Sequence, residues 1–186
     1  NPHNIGKAYF CKNSGTGIDK FLDEYLPAYK ATHKDGLWCF ITCNHDTIRP
    51  SAGLTTDELR LAYATIFTLP GAPFVYYGDE IGMRYLPLPT KEGGYHRTGS
   101  RTPMQWDAGP NLGFSEGAAE DLYLPVEADA RHTVQAQELD ENSMLSHVKR
   151  LIALRHAEPD LQNYSPFAVY AARGRLFAYK RGNLLV

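Results

Sequence analysis

The sequence predicts an α/β fold built on parallel strands, and three observations carry that expectation. Residues 37–43, Leu-Trp-Cys-Phe-Ile-Thr-Cys, form an almost unbroken apolar run that ends abruptly in the polar Asn44-His45-Asp46. A second short apolar run, 73–77, ends in Gly78-Asp79-Glu80. Between them lies a segment of helical periodicity. Short apolar runs rich in aromatic and β-branched residues suit strands buried on both faces, and strand–helix–strand in that order is a parallel βαβ unit. In such folds ligands sit at the carboxyl ends of the strands, where Asn44, His45 and Asp46 lie.

The elements follow in chain order. Residues 1–17 are irregular, with a short strand expected over 8–11 and a turn cluster over 13–17. Ile18, Phe21, Leu22, Tyr25 and Leu26 keep helical spacing, and Pro27 is expected to end or kink that helix. The strand 37–43 comes next. Thr55-Thr56-Asp57-Glu58 is a helix start: Thr55 can cap, Glu58 stands three residues on, and two carboxylates suit the positive helix end. This helix stops near Pro70-Gly71. From Gly82 to about Asn142 periodicity is weak and Gly and Pro are frequent. So long a loop suggests function, and it contains Tyr95, His96, Arg97, Arg101, Gln105 and Trp106, types suited to sugar or anion recognition. A helix is expected from Ser143 to about His156, with Met144, Val148, Leu151, Ile152 and Arg155 as its stripe and Pro159 as its stop. Segments 167–171 and 176–180 around Arg173-Gly174 read as a β-hairpin, and 184–186 as a third strand. A domain boundary is placed near 165, giving domains 1–164 and 165–186.

Composition narrows the class. The hydrophobic fraction of 43%, charged fraction of 22% and net charge of −2 are those of an ordinary globular chain, and give no reason to expect nucleic acid or an anionic membrane as partner. No apolar segment approaches the ~20 residues that span a bilayer. The first residues carry neither a basic n-region nor an apolar h-region, so no signal peptide is expected and the start reads as the middle of something longer. Cys39 and Cys43, four apart on one strand, are about 13 Å from each other, too far to bridge. Buried, reduced thiols in a cytoplasmic protein are expected.

The site residues admit two readings each. Asp46 is a carboxylate facing a ligand or a turn-former leading into Thr47-Ile48-Arg49-Pro50. His45 either satisfies itself locally or bonds a polar ligand. Arg49 and Arg101 each suit a structural ion pair as well as a substrate. No cofactor is expected, and no metal, since His45-Asp46 lacks spaced partner ligands. Asp79 and Glu80 end the strand beside that of Asp46, about 4.8 Å away. Two carboxylates about 5–5.5 Å apart would describe a retaining glycosidase. Gly78 and Gly82 argue equally for tight backbone packing with structural carboxylates.

Three motifs bear a resemblance. Phe40-Ile-Thr-Cys-Asn-His-Asp46 resembles the segment ending the seventh barrel strand of the α-amylase family, glycoside hydrolase family 13. Leu69-Pro-Gly-Ala-Pro-Phe-Val-Tyr-Tyr-Gly-Asp-Glu-Ile-Gly-Met83 is similar to that family's eighth strand with its Gly-x-Glu ending. Gly99-Ser-Arg-Thr-Pro-Met-Gln-Trp-Asp107 is similar to the segment that follows it in α-glucosidases, oligo-1,6-glucosidases, trehalose synthases and sucrose isomerases. Order and spacing agree over roughly residues 18–186.

The resemblance implies the C-terminal portion of a (β/α)8 TIM barrel, about strands seven and eight with their helices, followed by the first strands of an antiparallel β-domain. It implies that Asp46 is the third catalytic carboxylate, which holds sugar hydroxyls and favours the oxocarbenium-like transition state. His45, Asn44, Arg101 and Arg97 would contact the substrate, an α-glucoside oligosaccharide. The nucleophilic Asp and general-acid Glu would belong to strands four and five, upstream of this chain, and Glu80 would be structural. Four or so αβ elements cannot close an eight-strand ring. An exposed edge and apolar face are therefore expected, to be covered by the remainder of the barrel or another chain. This chain alone is expected to be inactive. The other reading is a non-catalytic relative that uses the barrel for carbohydrate binding or subunit contact.

Overall fold

The computed structural model describes residues 8–90, 97–127 and 129–186. In chain order these form α1 (Asp19–Thr32), β1 (Cys39–Ile41), α2 (Thr56–Thr68), β2 (Ala72–Phe74), α3 (Val134–Glu138), α4 (Met144–Ala157), β3 (Phe167–Arg173), β4 (Leu176–Arg181) and β5 (Leu184–Leu185), with short 3-10 turns between them. β1 and β2 pair in parallel, Phe40 opposite Pro73, with α2 as the crossover. β3, β4 and β5 form an antiparallel sheet. Tyr95 and His96 lie outside the described residues.

Local chemistry sets the helix ends. The Thr55 hydroxyl accepts from the Glu58 N–H while the Glu58 carboxylate accepts from the Thr55 N–H, a complete capping box. Ser143 caps α4 through the Ser146 N–H. The last carbonyls of α2 are taken by two guanidiniums: Arg155 donates to Phe67 and Leu69, and Arg181 to Thr68. These are the orphan acceptors a helix leaves at its C-terminus, and a cation there also suits the dipole.

Packing turns these elements into a core. Leu59, Ala62, Tyr63 and Phe67 of α2 meet Met144, Val148 and Leu151 of α4. The Leu, Val, Met and Phe side chains among them each contribute roughly 1.5–3 kcal/mol on burial. Tyr25 of α1, Phe40 of β1, Leu69 and Tyr179 of β4 form a second cluster, so the C-terminal sheet packs directly on the βαβ unit. Gly71 makes the turn into β2 possible: a Cβ there would lie 2.5 Å from the Trp38 carbonyl oxygen.

Several expectations are corrected. The runs 37–43 and 73–77 are not buried on both faces: Trp38, Ile41 and Phe74 are exposed, Ile41 at 55% and Phe74 at 54%. Each strand spans three residues and, among the described residues, the other is its sole sheet partner, so one face meets solvent. Exposure of an apolar face agrees with the expectation for part of a barrel. Cys39 is exposed, and only Cys43 of the three free thiols is buried. Pro27 does not end α1, which runs on to Thr32. Tyr25 and Tyr29 stack across the proline, ring centroids 5.8 Å apart. On α4 it is Leu145 that is buried and Ile152 that is exposed, because Leu145 turns towards Ile81, Met83 and Met104.

Candidate active site

The turn that follows β1 positions the site. Asn44 Oδ1 accepts the Asp46 N–H at 2.8 Å, Thr47 Oγ1 accepts the Asn44 N–H at 2.9 Å, and the Thr47 N–H closes on the Asn44 carbonyl. Such self-bonding is what Asn does in turns. It presents the Asp46 side chain outward, 49% exposed.

Three cationic or proton-bearing groups converge on that carboxylate. Arg97 Nη1 lies 3.0 Å and Arg101 Nη2 3.1 Å from Asp46 Oδ1, and His45 Nε2 lies 3.2 Å from Oδ2. Arg101 Nε also donates to the His45 carbonyl at 2.8 Å. Partial desolvation pushes the Asp46 carboxyl up. The Arg97 bond, the His45 charge and the Arg101 bond outweigh it and hold the carboxyl below its ordinary range. Asp46 is therefore an anion at neutral pH, with lone pairs left for hydroxyl donors.

Beneath this turn lies a buried ion pair. Arg49, 1% exposed, donates to Asp79 Oδ1 at 2.8 Å, to the Tyr77 carbonyl at 2.7 Å and to the Ser100 carbonyl at 3.0 Å. Its guanidinium also lies 5.1 and 5.0 Å from the Tyr76 and Tyr77 ring centroids. The other Asp79 oxygen accepts from Thr42 Oγ1 at 2.6 Å and from the Cys43 thiol at 3.1 Å. Burial, then the Asp79 charge, pushes the Cys43 thiol far up, so it stays a protonated donor. Ser100 Oγ donates to the Thr47 carbonyl at 2.5 Å. One pair thus ties together the ends of β1 and β2 and the segment carrying Arg97 and Arg101.

Of the residues singled out by sequence, Asp46, His45, Arg97 and Arg101 meet, and Asn44 shapes the turn. Arg49 takes the structural reading. The Arg49–Asp79 pair was not foreseen. Its signals were an Arg three residues beyond Asp46 and an Asp directly after a glycine at a strand end. Glu80 is half-buried, and burial pushes its carboxyl up.

Comparison with known proteins decides the family. The model of the α-amylase catalytic domain matches residues 16–163. The chain belongs to the α-amylase family. Among curated members it is similar to Maltase A2 of Drosophila melanogaster, 34% identical over 136 residues, covering 72% of this chain and 23% of that protein. It is also similar to the amino acid transporter heavy chain SLC3A1 of Homo sapiens, 31% identical over 160 residues, covering 79% of this chain and 23% of that protein. The chain thus spans about a quarter of either α-amylase-family relative. The fold matches that of a Klebsiella sp. isomaltulose synthase with a TM-score of 0.76 at 21% identity, covering 89% of this chain and 36% of the other. Among the described residues, no helix is long and apolar enough to cross a membrane.

Proposed function

We propose that this chain is the C-terminal part of a retaining α-glucoside-acting barrel, with β1 and β2 as strands seven and eight. On this reading residues 1–164 belong to the barrel, and the sheet from 165 onward begins the C-terminal β-domain. Asp46 is the transition-state stabiliser. His45, Asn44, Arg101 and Arg97 contact a small α-glucoside oligosaccharide, and the free thiols fit a cytoplasmic setting.

The observation that carries this is the half-exposed Asp46 carboxylate at the carboxyl end of β1, kept ionised by Arg97, Arg101 and His45. A fixed anion there accepts hydrogen bonds from sugar hydroxyls and stabilises the positive charge that develops on the ring as the glycosidic bond breaks. The nucleophile and general acid come from strands four and five, supplied by the remainder of the barrel that covers the exposed face of β1 and β2.

The likeness to a transporter heavy chain favours a second reading, a non-catalytic member that uses the barrel for carbohydrate binding or subunit contact. Assay of this chain alone on p-nitrophenyl α-glucoside and maltose, beside Asp46→Asn, tests the division of labour. No turnover is expected. Turnover that disappears with Asp46→Asn would mean the chain carries its own catalytic pair.

A further inference from the structure

Away from Asp46, the turn that precedes α3 gathers a set of metal-ligating side chains. Glu127, Asp129 and His132 each offer one ligand atom, and these atoms all lie within 4.8 Å of one another. Ligands held at ~2.0–2.2 Å around a tetrahedral ion stand about 3.4 Å apart, so small side-chain rotations close the set.

Two further observations point to a cation. First, His132 Nδ1 lies 3.0 Å from the Gly82 carbonyl oxygen. A carbonyl only accepts, so Nδ1 carries a proton, which leaves Nε2 as the ring's metal-binding atom. This is how a carbonyl orients a histidine for a metal. Nε2 faces Asp129 Oδ2 at 3.9 Å, a separation that one shared ion spans. Second, Glu127 is 7% exposed, and its Oε2 is buried with no hydrogen-bond partner among the described residues. A bare carboxylate oxygen in such a place is costly. Arg84 answers this in part. Its Nε lies 3.3 Å from Glu127 Oε1 and its Nη2 3.5 Å from Asp129 Oδ2, on a side chain 54% exposed. Both contacts are longer than the 2.7–2.9 Å of a good charge-assisted bond.

We propose that Glu127, Asp129 and His132 form a site for a divalent first-row transition ion, Zn2+ foremost, with solvent as the fourth ligand and Arg84 displaced outward. One imidazole and two carboxylates suit zinc. Calcium and magnesium want six or more oxygens. Through His132 the ion links Glu127 and Asp129 to the backbone at Gly82, just beyond the 3-10 turn that begins at Asp79. This proposal is independent of the glycosidase reading.

The test is calorimetric titration of the untagged, chelator-stripped protein with ZnCl2, beside melting curves and Co2+ absorption spectra. Saturable one-to-one binding is expected, with a raised Tm and the visible bands of four-coordinate cobalt. His132→Ala and, separately, Asp129→Asn abolish binding. Arg84→Ala tightens it by on the order of tenfold, the scale on which outer groups tune metal affinity. A plain salt-bridge cluster gives no saturable binding in the parent or in Arg84→Ala, which overturns the proposal. Binding that survives in a folded His132→Ala or Asp129→Asn protein overturns it equally.

Discussion

Arg101 holds Asp46 at two points: its Nη2 lies 3.1 Å from the carboxylate, and its Nε donates to the carbonyl of the preceding His45 at 2.8 Å. A planar guanidinium makes both bonds at once, which a lysine cannot do. Arg101→Lys therefore loosens the turn as well as the charge pair.

The first prediction concerns ionisation. In Arg101→Ala or Arg97→Ala, the Asp46 carboxyl rises towards its ordinary value of 3.8, read by carboxyl-carbon NMR titration. The folded-state value lies below the unfolded one, so the carboxylate stabilises the fold above the unfolded value. That contribution is lost as pH falls through the folded value. The stability gap between parent and variant is thus largest near neutrality and closes in acid. No change in the Asp46 titration would show that the arginines do not act on it.

The buried pair beneath the site makes the second prediction. Arg49→Met leaves Asp79 charged and unpaired in the interior and costs about 3–5 kcal/mol in urea unfolding. Pairing it with Asp79→Leu recovers part of that loss, since two apolar side chains replace two charges. Lys149→Ala, which removes an exposed pair with Glu138, costs under ~1 kcal/mol.

Helix α2 supplies the third. Thr55→Ala removes the cap acceptor and costs about 1 kcal/mol, measured by chemical denaturation. A loss within error would mean that the packing of α2 against α4 alone fixes its start.

A fourth follows from Gly78, which takes φ +84°. A Cβ there would lie 2.5 Å from Met83 Sδ and 3.2 Å from Arg49 Nη1. Gly78→Ala strains the backbone and presses on the Arg49 guanidinium, at a cost on the order of 1–3 kcal/mol.

What the sequence disclosed was local. The capping box at Thr55, the helix from Ser143, the Pro159 stop and the hairpin around Gly174 depend on neighbours within a few residues, and all four appear in the structure. The Asn44–Asp46 turn is likewise written in adjacent residues. Long-range features were hidden. Nothing in the local pattern says that Arg49 and Asp79, thirty residues apart, share one bond network with Ser100. The strand burial was misjudged because an apolar run records what covers it in a complete sheet, and among the described residues β1 and β2 pair only with each other. Pro27 shows the same override in reverse: α1 continues past a local breaker to Thr32, with Leu22 and Tyr25 buried in the core.

The fifth prediction tests the central claim, that Asp46 stabilises the transition state while Glu80 is structural. The measurement is kcat/KM for p-nitrophenyl α-glucoside in a longer protein that joins this chain to the proposed strands four and five, for parent, Asp46→Asn and Glu80→Gln. Asp46→Asn lowers it at least 10²–10³-fold, on the order of the loss when one electrostatic stabiliser is removed, with the fold intact by circular dichroism. Glu80→Gln leaves it within a few-fold. Full activity in Asp46→Asn, or its loss in a folded Glu80→Gln protein, would contradict the account.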